Sequence, residues 1–153
     1  MPRRPWQKYA TLLRVRERQE RLRAQALAEA RRDVLRAEKQ RDALGEEQRR
    51  ILLAAGKAAE AEVDAPKVQS FFQYERHIAH LSVEKDSEIH SLRKVAEKKR
   101  SELEEALKRR KIVERLTERV KEQYLIHVRK EEQKLLDETA AVKAALARKD
   151  DNA

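Results

Sequence analysis

Apolar residues recur along most of this chain in alternating steps of three and four, which is the spacing of a coiled-coil seam. In the first part of the chain this pattern predicts one helix over residues 6–62, because no strong breaker interrupts it. The apolar frame changes between Leu22 and Leu27, which we interpret as a local stutter. The predicted seam positions of this helix are Leu12, Val15, Leu22, Ala26, Ala30, Val34, Ala37, Leu44, Ile51, Ala55 and Ala58.

A second helix is predicted over residues 67–148, and its heptad pattern is clearer. Two sets of positions repeat every seven residues, which predicts a left-handed supercoil. One set is Phe71, Ile78, Lys85, Leu92, Lys99, Ala106, Val113, Val120 and His127, and the other is Ile89, Ala96, Leu103, Arg110, Thr117 and Tyr124.

Proline residues indicate where the two helices begin. Pro5 fits the first turn of the first helix, where its missing N–H would be unpaired anyway. Pro66 disfavours helix at Ala65 before it, so we expect a turn over residues 63–66, with Asp64 as the cap of the second helix. Such a short connection joins antiparallel neighbours. The predicted fold is all-α, an antiparallel two-helix coiled-coil hairpin with a longer second helix, forming a single rod over residues 1–153.

The composition agrees with long helices and raises one alternative. Charged residues make up 42% of the chain and aromatic residues 4%, with only 2 Gly and 3 Pro. This composition is typical of coiled coils, but high charge also occurs in disordered chains. Because 40% of the residues are hydrophobic and recur at coiled-coil spacing, the folded alternative is favoured.

Several classes of protein are disfavoured by what the sequence lacks. It has no Cys, so it offers no disulfide or thiolate chemistry. No apolar stretch approaches the length of a membrane span, and the basic N-terminus is not followed by the apolar core of a secretory signal. The simplest expected location is the cytoplasm, with contact to a membrane only at its periphery.

Catalysis and metal binding find little support in the motifs. His77, His80 and Glu84 share one helix face, but a structural zinc site requires four ligands. Gly56 and Lys57 resemble the end of a phosphate-binding loop, yet Ile51 stands where that motif requires its first Gly. We therefore expect no enzyme activity, no catalytic residue, no metal and no cofactor.

Positive charge is concentrated near the N-terminus. The net charge of the chain is +9, and residues 1–23 hold eight basic residues, Arg14 and Arg16 among them, against two acidic ones. Such a segment favours an acidic partner, which could be a protein, a lipid surface or nucleic acid. Nucleic acid is the weaker alternative, because the chain lacks both a base-reading segment before a parallel zipper and interleaved aromatic residues.

Aromatic residues gather after the predicted turn. Phe71 belongs to the predicted seam, whereas Phe72, Tyr74, His77 and Leu81 fall partly outside it. Exposed aromatic residues and Leu often mark a protein contact, although these residues could instead seal the end of the hairpin. Trp6 poses the same choice, because it could either pack against the start of its own helix or insert into a partner.

Three segments of the chain carry a resemblance to a known protein family, in matching order and spacing over nearly the whole length. The first is the opening Trp6-Gln7-Lys8-Tyr9-Ala10-Thr11-Leu12-Leu13-Arg14-Val15-Arg16. The second is Tyr74-Glu75-Arg76-His77-Ile78-Ala79-His80-Leu81. The third is Arg109-Arg110-Lys111-Ile112-Val113-Glu114-Arg115-Leu116, followed by Tyr124 and by residues 131–138. Together these segments resemble the flagellar type III export protein family FliJ.

The resemblance implies a non-enzymatic hairpin whose paired termini enter the pore of a hexameric flagellar export ATPase. It further implies binding to the cytoplasmic domain of the membrane export gate, handling of export chaperones, and a location at the inner face of the membrane at the flagellar base. The basic N-terminal helix and residues 125–148 would face the ATPase.

A gate-binding strip shared by both helices is also implied by the resemblance. The matching positions are Gln40, Leu44, Ile51, His77 and Leu81. An injectisome stalk protein of the same superfamily, or a structural or nucleic-acid-associated coiled coil, are the alternatives to this interpretation.

Overall fold

Two helices account for almost all of the protein in a computed structural model, which describes residues 4–62 and 64–152. Helix α1 spans Gln7–Glu60 and has 54 residues, and helix α2 spans Ala65–Asp151 and has 87. No strand occurs in these two ranges. The predicted all-α, antiparallel two-helix coiled-coil hairpin with a longer second helix is confirmed.

The helix ends follow the local chemistry that the sequence indicates. The carbonyl of Trp6 accepts a hydrogen bond from the amide of Ala10 at 2.9 Å, so α1 begins directly after Trp6. After the end of α1, Glu62 has a φ of 51°, the left-handed conformation that commonly stops a helix. The carbonyl of Asp64 accepts the amide of Lys67 at 3.0 Å, so α2 begins at Ala65 with Pro66 in its first turn.

The chain divides into two compact units. One, here called the hairpin unit, is residues 20–106, and it contains the turn and the flanking halves of the helices. The other, here called the terminal unit, combines residues 1–19 with residues 107–153.

Cross-helix hydrogen bonds show that the helices of the hairpin unit are antiparallel. The sequence separation of the bonded residues falls steadily toward the turn, as only an antiparallel pair allows. It falls from 79 to 55, 45 and 27 in the pairs Arg23–Glu102, Arg93–Glu38, Arg41–Asp86 and Gln48–Glu75. Three of these pairs are exposed ion pairs, which contribute only about 0–1 kcal/mol each, so they define the register more than they stabilise the fold.

The core of the hairpin unit is a narrow seam of small and β-branched residues. Alanine is frequent in the α1 part of this seam, which lets the two helix backbones approach closely. The buried residues are Leu27, Ala30, Ala37, Ile51 and Ala55 on α1, and Ile78, Ser82 and Ile89 on α2. Because one stripe per helix is buried, most of each helix surface remains in water.

An aromatic contact anchors the terminal unit. The ring of Trp6 lies 5.0 Å from the ring of Tyr124 with an interplanar angle of 74°, which is an edge-to-face pair. Such pairs contribute about 0.5–1.5 kcal/mol beyond the area they bury. The guanidinium of Arg4 lies 5.7 Å from the centroid of the Trp6 ring, and Val113 is buried in the same unit.

The predicted stutter in α1 is wrong. Leu12, Val15 and Leu22 are exposed, at 38%, 46% and 55%, so the apolar frame at the start of α1 is not the seam. Positions withdrawn from water there keep the frame of the rest of the helix. Examples are Trp6, Tyr9, Leu13, Arg16, Glu20 and Leu27. The apolar pattern was misleading because two charged residues, Arg16 and Glu20, occupy seam positions, and there Nε of Arg16 and Oε2 of Glu20 are buried.

In α2 the predicted heptad frame is confirmed with one exception. Its positions from Phe71 to Tyr124 are buried or half-buried, and Ser82 extends the second set toward the turn. His127 is exposed, whereas Val128 beside it is half-buried. The frame therefore changes by one residue after Tyr124.

Candidate partner-binding surfaces

A groove of about 550 Å³ lies on the hairpin unit and is formed by both helices. The heptad explains its composition, because Leu44 is half-buried at a seam position and Leu81 flanks the buried residues Ile78 and Ser82. The lining residues are Gln40, Ala43 and Leu44 of α1 and Leu81, Glu84, Lys85 and Glu88 of α2. Its centre is apolar and its rim is polar, as in a protein-binding surface.

Lys85 joins the two helices at the rim of this groove. Its Nζ donates a hydrogen bond to Oε1 of Gln40 at 2.9 Å and another to Oε2 of Glu88 at 2.7 Å. A lysine at a seam position exchanges stability for a defined register. The Lys85–Gln40 bond therefore helps to hold Gln40 in place, and the sequence missed this role because Lys85 was assigned only to the seam.

The predicted gate-binding residues are partly brought together. Gln40, Leu44 and Leu81 line the groove, and His77 is exposed one helical turn before Leu81. Ile51 is only 6% exposed, so its side chain lies in the seam and cannot present a surface to a partner. Ile51 therefore packs in the core, and it is not part of the binding surface proposed below.

Two of the three Phe and Tyr residues that follow the turn remain on the surface. Phe71 is half-buried in the seam, whereas Phe72 is 45% exposed and Tyr74 is 47% exposed. The rings of Tyr74 and His77 lie 6.5 Å apart with an interplanar angle of 35°. Of these three, only Phe71 therefore packs in the seam. Tyr74 lies on the same side of α2 as Leu81, whereas Phe72 lies on the opposite side.

The predicted contact residues of the terminal unit have different environments. Trp6 is half-buried against Tyr124, which supports its interpretation as a residue that packs within its own unit. Arg14 is exposed, whereas Arg16 is half-buried and donates a hydrogen bond to Oε1 of Gln19 at 3.1 Å. Arg14 is thus the more accessible of the two predicted basic contacts.

The histidines do not form a metal site in the part of the chain that the structure describes, where no cluster of three metal-ligating side chains occurs. His80 instead lies 3.0 Å from a carboxylate oxygen of Glu84, and both side chains are exposed. Within the same described ranges, neither helix has a stretch apolar enough to cross a membrane.

A second groove, which the sequence did not predict, also lies on the hairpin unit. It measures about 450 Å³, and Leu27, Val34, Leu35 and Ala96 line it together with Arg31, Arg93 and Arg100. Leu35 is 56% exposed on a face that the seam does not use. The only feature of the sequence that pointed to this groove was Leu35, an apolar residue outside the predicted seam positions.

Comparison with known proteins gives one match. Residues 6–149 match the family described as the flagellar FliJ protein, which covers nearly the whole chain. Neither the curated proteins nor the solved structures provide a match. The chain therefore belongs to the flagellar FliJ protein family, whose members are components of the flagellar type III export apparatus.

Proposed function

We propose that this protein connects the soluble and membrane parts of the flagellar export apparatus by binding them, without catalysing a reaction itself. In this proposal the terminal unit binds the hexameric export ATPase, and the hairpin unit binds the cytoplasmic domain of the export gate. The protein also escorts export chaperones, and it acts in the cytoplasm at the inner face of the membrane at the flagellar base.

The observation that carries the gate contact is the groove formed by both helices. Gln40, Leu44 and Leu81 are distant in sequence and line one depression with an apolar centre. His77 and Tyr74 continue the exposed surface along α2, on the same side of the helix as Leu81. A partner with an apolar side chain and a polar rim could bury Leu81 while pairing with Gln40, which is how compact protein contacts gain affinity.

The ATPase contact rests on charge and on exposed helix. The first 23 residues hold eight basic side chains against two acidic ones. Every described residue from Arg129 to Asn152 is exposed, so the end of α2 has free surface on all sides. A basic segment beside an exposed helix suits a partner with an acidic, concave binding site.

Leu81→Asp tests the gate contact most sharply. The new carboxylate would lie in the groove, and a charge buried without a partner is unfavourable, so we expect affinity for the purified gate domain to fall about tenfold or more. Val83→Asp is the matched control, because Val83 lies two residues away on α2 and is 66% exposed outside the groove. Isothermal titration calorimetry gives both affinities.

Loss of binding with Leu81→Asp, together with near-normal binding of Val83→Asp, supports the groove as the gate contact. Equal effects of the two substitutions would contradict it. Circular dichroism of each variant shows whether the helices remain intact.

A further inference from the structure

The last part of α2, residues 129–152, is here called the C-terminal segment. Tyr124 and Val128 before it are half-buried, but every residue described within it is exposed. Its large apolar side chains are no exception, since Leu135, Val142 and Leu146 are 63%, 59% and 56% exposed. A helix with this much free apolar surface generally needs a partner.

Leu135, Val142 and Leu146 continue a coiled-coil frame, whereas Leu136 is exposed outside it. From Val128 onward, the positions 132, 135, 139, 142, 146 and 149 alternate in steps of three and four. They hold Glu132, Leu135, Thr139, Val142, Leu146 and Lys149. The frame thus has four central positions, three of them apolar, between an acidic residue at one end and a basic residue at the other.

When two copies of this segment are aligned in opposite directions, acidic residues of one copy lie opposite basic residues of the other. It contains six basic and six acidic residues, with Arg129 and Glu132 at one end and Lys149 and Asp150 at the other. In an antiparallel pair centred between Ala140 and Ala141, Glu132 lies opposite the partner's Lys149. Arg129 then lies beside the partner's Asp150 at the edge of the interface.

The same alignment also matches the apolar positions. It places Leu135 opposite the partner's Leu146 and Thr139 opposite the partner's Val142, and two-fold symmetry repeats each pair. A parallel alignment would instead place Glu132 against the partner's Glu132 and Lys149 against the partner's Lys149. Like charges at such positions are unfavourable, so the charge pattern selects the antiparallel arrangement.

We propose that the C-terminal segment binds the C-terminal segment of a second copy of this chain as an antiparallel coiled coil. Because this pairing covers Leu135, Val142 and Leu146, a paired segment cannot at the same time bind another protein through that face. Self-association would therefore hold the protein in a state that does not engage a partner there, and dilution or a competing partner would release it.

Charge reversal in the full-length protein tests the pairing. Glu132→Lys places two lysines opposite each other, and Lys149→Glu places two glutamates opposite each other. We expect each single variant to weaken self-association about tenfold or more, as measured by sedimentation equilibrium over a range of concentrations. Lys130→Glu is the control, because position 130 lies on the outer face of the proposed pair.

Restoring the opposite charges should restore the pair. An equimolar mixture of the two single variants, and the double variant Glu132→Lys/Lys149→Glu, should both associate as strongly as the unaltered chain. This recovery separates a lost contact from a damaged helix, because the damage would persist in the double variant.

Three results would overturn the proposal. The first is a monomer at every concentration, which would leave this face to a different partner such as the export ATPase. The second is self-association that neither reversal weakens, which would assign the contact to another surface. The third is a mixture or a double variant that stays as weak as the single variants.

Discussion

At the scale of single residues, the effect of a polar seam side chain on stability depends on whether it is hydrogen-bonded. Lys85 is withdrawn from water but is hydrogen-bonded to Gln40 and Glu88. Ser82 is 4% exposed, and its Oγ is buried without a hydrogen-bond partner. A buried hydroxyl without a partner is destabilising, whereas a paired one is nearly neutral. Ser82 is therefore a weak point of the hairpin unit.

We predict that Ser82→Ala increases the free energy of unfolding by about 1–2 kcal/mol. The substitution removes the unpaired hydroxyl and adds the higher helix propensity of Ala. Ser87→Ala on the same helix is the control, because Ser87 is exposed and its substitution changes only the helix propensity. It should increase the free energy of unfolding by about 0.5 kcal/mol or less. Urea unfolding followed by circular dichroism measures both, and equal effects would show that the Ser82 hydroxyl is not destabilising.

Trp6 provides a second test at this scale, because it is the single Trp of the chain. Its edge-to-face contact with Tyr124 keeps the indole half-buried. We expect Tyr124→Ala to shift the fluorescence emission of Trp6 to longer wavelength, as water reaches the indole. Tyr74→Ala lies in the other unit and should leave the emission unchanged, so a shift with Tyr74→Ala alone would contradict the assigned contact.

At the scale of the helices, stability comes from one narrow stripe on each. The seam buries few large side chains, so each one contributes a large share of the hydrophobic stabilisation. The many ion pairs are mostly exposed and contribute less, since Arg23 and Arg93 keep 51% and 63% of their side-chain surfaces in water.

Substituting two isoleucines of α2 distinguishes the contribution of seam packing to stability from that of exposed helix surface. Ile89 is 6% exposed in the seam and Ile112 is 65% exposed outside it. We predict that Ile89→Ala lowers the free energy of unfolding by about 2–4 kcal/mol, because it leaves a cavity between the helices. Ile112→Ala should change it by about 0.5 kcal/mol or less. Thermal or urea unfolding measures both, and a large loss at Ile112 would contradict the assigned seam.

The presence of two long helices could be predicted from the sequence, with small errors at their ends. Few helix-breaking residues occur in the sequence. Pro66 and Asp64 together indicated the start of α2 to within two residues. The beginning of α1 was the failure, because Leu12 and Val15 look like a seam while Arg16 and Glu20 hold the seam positions. Apolar periodicity alone cannot identify a seam that is built partly from the stems of charged residues.

The candidate site could be predicted from the sequence less completely than the fold. Residues Gln40, Leu44 and Leu81 came from the family resemblance, and only the pairing of the helices shows that they share a groove. The same pairing removes Ile51 from that surface by burying it. A groove between two helices depends on their register, which the sequence of either helix does not contain alone.

At the scale of the whole molecule, the protein offers several surfaces that a partner can bind. The hairpin unit carries a groove with an apolar centre, and the terminal unit carries a basic helix start and the exposed C-terminal segment. Membership of the flagellar FliJ protein family places such a protein in the flagellar export apparatus. In this account the ATPase supplies the chemical energy, and this chain supplies the contacts.

The proposed contact with the ATPase can be tested by reversing charge without removing the helix. Arg14 and Arg18 are exposed in the basic segment, so Arg14→Glu/Arg18→Glu should weaken binding while leaving the Trp6–Tyr124 contact in place. Arg32 and Arg49 are exposed on α1 outside that segment, and Arg32→Glu/Arg49→Glu is the matched control. Any effect of net charge alone would appear equally in both.

The most direct measurement is ATP hydrolysis by the cognate flagellar export ATPase, with and without this protein, alongside sedimentation of the mixture. The account predicts faster hydrolysis and a shift of the ATPase toward its hexamer. It also predicts that both effects are lost with Arg14→Glu/Arg18→Glu, or on deletion of residues 1–23, and are kept with Arg32→Glu/Arg49→Glu. Unchanged hydrolysis and no co-sedimentation with the unaltered chain would contradict the account.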